Sequence, residues 1–535
     1  MSTKQVFVGL CGFILLTAAA CGSDDDDSDG AAGSAGKGGS AGSAAAGGGA
    51  AGKGGTASQG GTASTAGKAG VAGVGGTTGG SATAGETMGG SAGSPDAGST
   101  ARGGDDAGGA GGAALIDGFT QAEWEQISQF GPLGAVPPDS TNQYADNAAA
   151  AAFGQRLFFE KGYAGKIIVG SDGANGGLGA VDDTGKVACA SCHDPAHYYS
   201  DVRSNPNALS LGVKWTSRNA PPLVNVAFYQ WMSWGGKEDS LWYQGANGSE
   251  SPANFGGNRL QFVHLLFAKY KNNYNGIFPV PLDTALDPAA ADHDRFPPSG
   301  KPKASAADPD GPWELMAPAD RDIVNRILAN VGKSIAAYER LLVSRNAPID
   351  KYIGGDYGAL TSSAKQGLKL FIGKAGCVSC HSGPTFSDQN FHNIGVPQTG
   401  ANVPATDNGR FDDLTKTLTN TFNGQGLYSD DPTAGAAKLN GLTPVDEMKG
   451  KFRTAALRQI DKTGPYTHDG YLATLADVVH FYNLGGADTG FAGTKDPLIT
   501  PLDLTAGEEA NLVDFLKALT GDPPPPALGV DTAAP

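Results

Sequence analysis

The sequence predicts an all-α protein in which two tandem domains share one design. Three observations lead to this prediction. Apolar residues recur at a near-helical period from about Ala319 to Ser344, and a capping box from Thr505 to Glu508 marks the start of another helix. Few segments alternate apolar and polar residues as strands do. A short cysteine motif occurs twice, each time after a similar helical segment, which indicates a duplicated unit.

Composition separates the folded part of the chain from a long linker. Of the 535 residues 82 are Gly, and residues 30–113 contain 32 of these and no aromatic side chain. Such a segment cannot bury enough apolar surface to offset its ordering entropy, so we expect residues 21–113 to form a disordered Gly/Ala/Ser-rich linker. The net charge of −16 argues against nucleic-acid binding, which needs a basic face. No apolar run reaches the roughly 18 residues of a membrane-spanning helix.

Residues 1–20 have the pattern of an export signal. Lys4 precedes an apolar run from Val6 to Leu16, and small residues then lead to Cys21. A cysteine at the cleavage point is typical of a bacterial lipoprotein signal peptide, with Cys21 as the lipidated first residue. We therefore predict a periplasmic or cell-envelope protein that contacts the membrane only through this lipid. An ordinary secreted protein cleaved near Ala20 is the alternative.

Four of the six cysteines lie in two C-x-x-C-H motifs. The motifs are formed by Cys189, Cys192 and His193, and by Cys377, Cys380 and His381. In such a motif the two thiols add to the vinyl groups of one haem, and the histidine binds its iron. Thioredoxin-like chemistry does not require the histidine, and one zinc site would have to join two distant motifs. We predict two covalent haem c groups, one in each of two cytochrome c-like domains.

The segments around the two motifs repeat. Gly154–Phe158 (GQRLF) precedes the first motif and Gly367–Phe371 (GLKLF) precedes the second. An aromatic residue and an acid follow each motif, in Tyr199–Asp201 and Phe386–Asp388, with the register after the histidine differing by one residue. The first copy contains a Gly-rich insertion, roughly residues 163–186, which we expect to be a surface loop.

These features divide the chain into five parts. We predict a lipoprotein signal peptide at 1–20, the linker at 21–113, an N-terminal haem domain at 114–345, a C-terminal haem domain at 346–525 and a tail at 526–535.

Three further stretches carry a family resemblance: Arg218–Pro221, Phe386–Val396 and Gly464–Gly470. With the two motifs, they make the chain resemble the bacterial di-haem cytochrome c peroxidase and MauG family over about residues 120–525. The resemblance implies that hydrogen peroxide is cleaved at the N-terminal haem. It also implies that the C-terminal haem accepts electrons from a small soluble donor, a cytochrome c or a cupredoxin, and it is compatible with a homodimer.

The resemblance also implies residues between the two haems. Trp234 matches a tryptophan that lies between them, although an ordinary core aromatic is the alternative interpretation. A calcium ion at the domain interface is implied, with the side chain of Asn219 and the carbonyl groups of Thr463 and Pro465 as ligands. Calcium favours oxygen donors of this kind.

The implied axial ligands differ from those of gated peroxidases. Val213 stands where these enzymes carry a distal histidine, so the N-terminal haem held by His193 is expected to be open and five-coordinate. His197 is an alternative ligand, although four residues after His193 it should lie on the proximal side. For the C-terminal haem the matching position is Tyr482, the MauG arrangement, with a tyrosine packed beside the haem or Met448 as alternatives.

The peroxide pocket departs from the family pattern. Gln244 matches the pocket glutamine, but Asn254 replaces the catalytic glutamate, and an amide cannot carry a proton between peroxide oxygens. Glu250 is the nearby substitute. His468 matches a histidine near the domain interface, and a plain packing role is the alternative. His264, His293 and His480 are expected to be structural or surface residues.

Three functions follow from these residues. The first is a cytochrome c peroxidase that reduces hydrogen peroxide to water. The second is a MauG-like di-haem oxidase acting on a protein partner, which Val213 and Tyr482 favour. The third is a non-enzymatic di-haem electron carrier, which Asn254 favours and the open site implied by Val213 opposes.

Overall fold

The computed structural model describes residues 115–170, 177–203 and 209–532. The predicted signal peptide, the lipid site at Cys21 and the linker lie outside these residues. Within them the chain forms twelve α-helices and one antiparallel pair of two-residue strands. No helix among the described residues is both long and apolar enough to cross a membrane. This helix-rich architecture with few strands agrees with the predicted fold class.

The elements have the following bounds. The helices are α1 (Gln121–Ser128), α2 (Ala148–Phe159), α3 (Leu241–Gly248), α4 (Arg259–Ile277), α5 (Pro312–Leu315), α6 (Pro318–Glu339), α7 (Pro348–Ile353), α8 (Ser362–Ile372), α9 (Arg410–Thr419), α10 (Pro432–Leu439), α11 (Leu475–Asn483) and α12 (Ala506–Lys517). The strands are β1 (Phe391–His392) and β2 (Phe452–Arg453), paired with Phe391 opposite Arg453.

The two helices predicted from periodicity and capping are both present. The Thr505 hydroxyl accepts from the Glu508 amide, and the Glu508 side chain accepts from the Thr505 amide, so α12 begins with the predicted capping box. Helix α6 ends at Glu339, before the predicted end at Ser344. Beyond Glu339 the backbone is hydrogen-bonded to Asn225 instead of continuing the helix. The backbone amide of Asn225 donates to the Leu342 carbonyl, and the side-chain Oδ1 of Asn225 accepts from the Ser344 amide.

The repeated glycines mark two equivalent helix crossings. Helix α2 packs on α6, and α8 packs on α12. Gly154 lies directly against the carbonyl oxygen of Ser334 in the first pair, and Gly367 lies against that of Asn511 in the second. A Cβ atom at either glycine would overlap that oxygen, so the close crossing requires glycine at both positions. The repeat noted in the sequence is therefore a repeat of packing.

The apolar side chains form two large buried clusters. The first contains Leu157, Phe158 and most of the inward face of α6, and the second contains Phe371, Phe515 and their neighbours. Two segments depart from the predicted boundaries. The beginning of the described chain, with Phe119, Ile127 and Phe130, packs in the second cluster, although we predicted it in the domain at 114–345. Conversely, Phe422 and Tyr428, from the predicted second domain, pack in the first cluster.

Part of the predicted tail is anchored on the first cluster. The Gln155 side chain in α2 donates to the carbonyl groups of Ala527 and Val530. The Tyr338 hydroxyl in α6 donates to the Leu528 carbonyl at 2.6 Å. Residues 527–530 therefore pack onto the helix pair α2 and α6.

The Gly-rich insertion is only partly a surface loop. Among its described residues Tyr163, Ala164 and Ile167 are buried, whereas Ile168 and Val181 are exposed. The expectation of a surface loop is therefore wrong for the beginning of the segment. These apolar side chains are buried because they reach the first cluster, where the Tyr163 ring packs against Phe262.

Candidate active site

The first haem-attachment motif forms a short turn with its histidine buried behind it. Cys189 begins a 3₁₀ turn, and the His193 amide donates to the Cys189 carbonyl at 2.9 Å. The Nδ1 atom of His193 lies 3.3 Å from the carbonyl oxygen of Tyr199, which leaves Nε2 available for iron. Burial lowers the pKa of His193, so the imidazole stays in the neutral form that binds a metal.

The second motif repeats this arrangement with a shorter loop. The His381 amide donates to the Cys377 carbonyl, and Nδ1 of His381 lies 2.9 Å from the Phe386 carbonyl oxygen. Burial lowers the pKa of His381 as well. The carbonyl partner comes six residues after the histidine in the first copy and five in the second. This is the physical origin of the one-residue shift in the sequence repeat.

The segment predicted to lie on the distal side of the first haem is held rigidly by backbone hydrogen bonds. The amide of Val213 donates to the Asn254 carbonyl at 3.1 Å, and the Val213 carbonyl accepts from the amides of Ile168 and Val169. Gly212 passes so close to Asn254 that a side chain there would collide with its backbone. The Val213 side chain is completely buried and carries no donor atom for iron.

The proposed pocket residues lie on α3 and in the turn that follows it. Gln244 lies in α3, and its buried Oε1 atom has no hydrogen-bond partner. Asn254 lies in the turn after α3, and its backbone carbonyl accepts from the Val213 amide. Glu250, considered as a substitute acid, is instead held by Arg259, whose Nε and Nη2 atoms contact the two carboxylate oxygens at 2.9 and 2.5 Å. This bidentate ion pair gives Glu250 a structural partner.

The alternative ligands considered for the two haems differ in position. The His197 side chain is 53% exposed, and its Nδ1 atom lies 2.8 Å from an Asp194 carboxylate oxygen. Tyr482 lies in α11, and burial together with the nearby sulfur atoms of Cys377 and Cys380 raises the pKa of its phenol. Met448 ends a short 3₁₀ turn that packs against α9. Tyr482 is thus placed beside the second motif.

Trp234 joins equivalent segments of the two copies. Its Nε1 donates to the Asn219 carbonyl at 2.8 Å, and its own carbonyl accepts from the Arg453 amide at 2.8 Å. Asn219 and Arg453 begin matching stretches, because Asn225 and Gln459, six residues later in each, both adopt a left-handed backbone conformation before a 3₁₀ turn. Trp234 therefore connects the two repeated segments, one through its indole and the other through its backbone carbonyl.

Each of these matching stretches also reaches its own haem-binding histidine. The Pro221 carbonyl, two residues after Asn219, lies beside His193, and the Ala455 carbonyl lies beside His381 in the same way. The two histidines are consequently connected through backbone segments that both hydrogen-bond to Trp234.

The proposed calcium ligands lie in two segments of the chain that are hydrogen-bonded to each other. The backbone amide of Asn219 donates to the His468 carbonyl at 2.7 Å, and Pro465 and Thr463 lie three and five residues before His468 in the sequence. The Oδ1 atom of Asn219 is buried and lacks a hydrogen-bond partner. An unpartnered buried carbonyl oxygen is costly, and a hard cation would satisfy it. The residues therefore fit the calcium ion implied by the resemblance.

His468 itself is a neutral buried imidazole. Its Nε2 lies 2.6 Å from Nε2 of Gln398, and its ring stacks on Phe452 at a centroid distance of 3.6 Å. Burial lowers the pKa of His468 to about 3, against the opposing charge of Asp407. Gln398 was not singled out in the sequence, because its only link to the site is across 70 residues of chain.

The remaining histidines have structural or surface partners. Both ring nitrogens of His264 contact backbone carbonyls, and His293 and His480 are exposed. His392 lies between the carboxylates of Asp388 and Asp496. In the described part of the chain, one cluster has metal-binding side chains within 4.8 Å of one another, namely Cys380, Asp388 and His392. Cys380 belongs to a haem-attachment motif, so we assign no separate metal to it.

A repeated helix pair, each with a C-x-x-C-H turn and a buried neutral histidine, defines a di-haem c-type protein. A family model described as di-haem cytochrome c peroxidase matches residues 148–358. The chain is 32% identical over 409 residues to the cytochrome-c peroxidase IdrP1 of Denitromonas iodatirespirans, covering 74% of this chain and 87% of that protein. The chain belongs to the di-haem cytochrome c peroxidase family, as the resemblance predicted.

Other similarities extend to MauG. The chain is 28% identical over 344 residues to the methylamine utilization protein MauG of Methylorubrum extorquens, covering 64% of this chain and 74% of that protein. A solved structure, the diheme peroxidase BthA of Burkholderia thailandensis, is 20% identical, with a TM-score of 0.48 and coverage of 73% of this chain and 90% of that one. The sequence similarity to the named cytochrome-c peroxidases makes the chain an oxidoreductase of the di-haem peroxidase type.

Proposed function

We propose that this protein reduces hydrogen peroxide to water at the haem held by His193. The electrons would enter through the second haem from a small soluble donor, a cytochrome c or a cupredoxin. The observation that carries the proposal is the buried Val213, which occupies the implied distal position and has no atom that binds iron. Val213 would therefore leave the distal side of a haem held by His193 open to hydrogen peroxide.

The haem iron supplies the redox chemistry, in which one peroxide, two electrons and two protons yield two water molecules. The chain's own residues bind and orient the substrate. The unpartnered Oε1 of Gln244 is suited to accept a hydrogen bond from a peroxide hydroxyl. Asn254 can orient peroxide but cannot carry its proton. Glu250 is engaged by Arg259, so we propose that proton transfer between the peroxide oxygens limits turnover.

Electrons would pass from the second haem to the first through Trp234. This role is supported by its hydrogen bonds to Asn219 and Arg453, which belong to matching stretches beside the two haem-binding histidines. We further propose that calcium bound by Asn219, Thr463 and Pro465 fixes this junction. The protein would be exported to the periplasm or cell envelope and retained there by a lipid on Cys21.

Steady-state turnover with a reduced cytochrome c or cupredoxin tests this function. We expect Asn254→Glu to raise the peroxide turnover at least tenfold, because positioned acid–base groups contribute about 10²- to 10⁴-fold in enzymes. Asn254→Gln is the matched control, since it lengthens the side chain without adding a proton-carrying group. Equal rates for the two variants would show that proton transfer at this position does not limit the reaction.

A MauG-like oxidation of a protein partner is the second candidate. It is favoured by Tyr482, which lies beside the second motif where a phenolate ligand would stabilise the ferric state. The two functions differ in their donors. A peroxidase consumes many equivalents of peroxide with a small reduced donor. If no small donor supports turnover while the oxidised protein still reacts with one equivalent, the MauG-like function is the better assignment.

A further inference from the structure

Arg453 differs from the other buried arginines in the described part of the chain. Arg259, Arg340 and Arg458 each face a carboxylate within 3 Å, from Glu250, Asp146 and Asp350 respectively. Arg410 donates to the carbonyl groups of Gly235 and Gly236. Arg453 is only 6% exposed, yet no carboxylate pairs with it among the described residues.

The guanidinium of Arg453 stacks on an aromatic ring, and its N–H groups make few hydrogen bonds. It stacks over the Tyr229 ring, 4.2 Å from the centroid. Nη1 reaches only the Thr454 carbonyl, at a long 3.4 Å, and the buried Nε has no hydrogen-bond partner. Burial lowers the pKa of Arg453, as expected for a cation without a counter-ion. A buried charge of this kind is costly unless an anion completes the site.

The position of Arg453 relates it to the second haem. Its strand β2 pairs with β1, and the Ser387 hydroxyl, near the second motif, donates to the Thr454 carbonyl at 2.7 Å. Two residues after Arg453, the Ala455 carbonyl lies beside His381. Arg453 is therefore two residues from a backbone carbonyl that contacts His381, the histidine of the second motif. A haem attached at Cys377 and Cys380 would also carry two propionate carboxylates, which need cationic or hydrogen-bonding partners when they are buried.

We infer that Arg453 binds a propionate of the C-terminal haem through its Nε and Nη donors. The planar guanidinium fork matches a carboxylate in bidentate geometry, whereas a lysine would offer a point charge. The Tyr229 ring orients the fork, and the Arg453 amide, by donating to the Trp234 carbonyl, ties the same residue to the junction between the haems. This inference rests on haem attachment at the second motif, and it is independent of which substrate the protein oxidises.

Spectroscopic potentiometry of the full di-haem protein tests the inference. In Arg453→Gln the propionate charge loses its partner and stabilises ferric iron. We expect the equilibrium constant for reducing the C-terminal haem to fall about tenfold, which is about 59 mV for a one-electron couple. Arg453→Lys should recover part of this shift. Arg340→Gln is the control, since it removes a buried arginine paired with Asp146, and it should leave the C-terminal potential unchanged.

A second measurement reads the propionate directly. In the redox-difference infrared spectrum of protein carrying ¹³C-labelled haem propionates, Arg453→Lys should shift the propionate carboxylate bands. This conservative variant keeps the test possible if Arg453→Gln cannot be purified with both haems. Unchanged bands, or a potential shift confined to the N-terminal haem, would overturn the inference. Peroxide turnover enters neither readout, so failure of the proposed peroxidase activity would be distinguishable from failure of this assignment.

Discussion

The two haem-binding regions are alike on one side and different on the other. Each crosses two helices at a glycine, Gly154 in the first and Gly367 in the second. Each also buries its histidine with Nδ1 at hydrogen-bonding distance from a backbone carbonyl, His193 to Tyr199 and His381 to Phe386. The duplication has therefore preserved the parts that hold the haem.

The other side carries the difference in chemistry that we propose. In the first region the implied distal residue is Val213, an aliphatic side chain fixed by backbone hydrogen bonds on both sides. In the second it is Tyr482, a phenol beside the two motif sulfur atoms. One scaffold can thus serve substrate binding in one copy and electron transfer in the other, because the residue opposite the histidine decides whether iron has a free position.

The largest expected effect is the loss of peroxide reactivity when the first haem-binding region alone is changed. Replacing His193 with Gly should abolish reaction with peroxide while the second haem stays attached, because iron loses its protein ligand at the proposed substrate site. Stopped-flow absorption and a haem stain of the purified protein would measure both. His197→Gly is the matched control, since His197 is an exposed histidine four residues away, and it should react normally. Retained turnover in the His193 variant would contradict the site assignment.

A second change compares the two helix crossings. Gly154→Ala and Gly367→Ala should each lower the free energy of unfolding by at least about 1–3 kcal/mol, because the added methyl group overlaps a backbone carbonyl of the facing helix. Denaturant unfolding would measure the change. The control is Gly507→Ala in α12, where no atom lies within 4 Å of the added carbon, and this variant should be neutral or slightly more stable.

A third prediction concerns the ion pair that joins Arg218 to later parts of the chain. Arg218 contacts Asp407 through Nε and Nη2, both at 2.7 Å, and Asp413 through Nη1 at 2.6 Å. Burial would raise the pKa of Asp407, but the charge and hydrogen bonds of Arg218 lower it to about 2 from the usual 3.8. The resulting stabilisation, about 2 kcal/mol, is complete above about pH 4 and is lost as the pH falls through 2.

Comparison with Asp407→Asn measures this effect. The variant should be less stable than the parent at pH 7, and the difference should shrink as the pH is lowered from 4 towards 2. Urea unfolding at several pH values follows both proteins. A difference that stays constant over this range would show that ionisation of Asp407 is not the source of the stability.

The smallest expected effect comes from Tyr482, the residue that we compare with Val213. Tyr482→Phe should change the absorption spectrum and raise the reduction potential of the second haem, with little effect on stability, because only the phenol oxygen is removed. Tyr352→Phe is a suitable control, since Tyr352 is a buried tyrosine of the second cluster whose hydroxyl donates to Asp117. An unchanged spectrum in Tyr482→Phe would exclude the phenol as a ligand and favour Met448 or water.

The sequence predicted the parts of this molecule that depend on local pattern. The haem-attachment motifs, the capping box at Thr505 and the repeated helices are set by residues close together in the chain. The sequence did not predict that Phe119 packs in the second cluster and Phe422 in the first, or that Leu528 packs near Tyr338. Such contacts join positions that are distant in the chain. Arg453 was missed for the same reason: its isolation is visible only when its surroundings are folded.

The central claim is that the first haem has a free position and reacts with peroxide, whereas the second does not. The most direct test adds one equivalent of hydrogen peroxide to the fully oxidised protein, without reductant, and follows haem absorption. We predict a prompt change in the five-coordinate ferric spectrum that is reversed by a reduced donor. No change in that spectrum would contradict the open site at Val213.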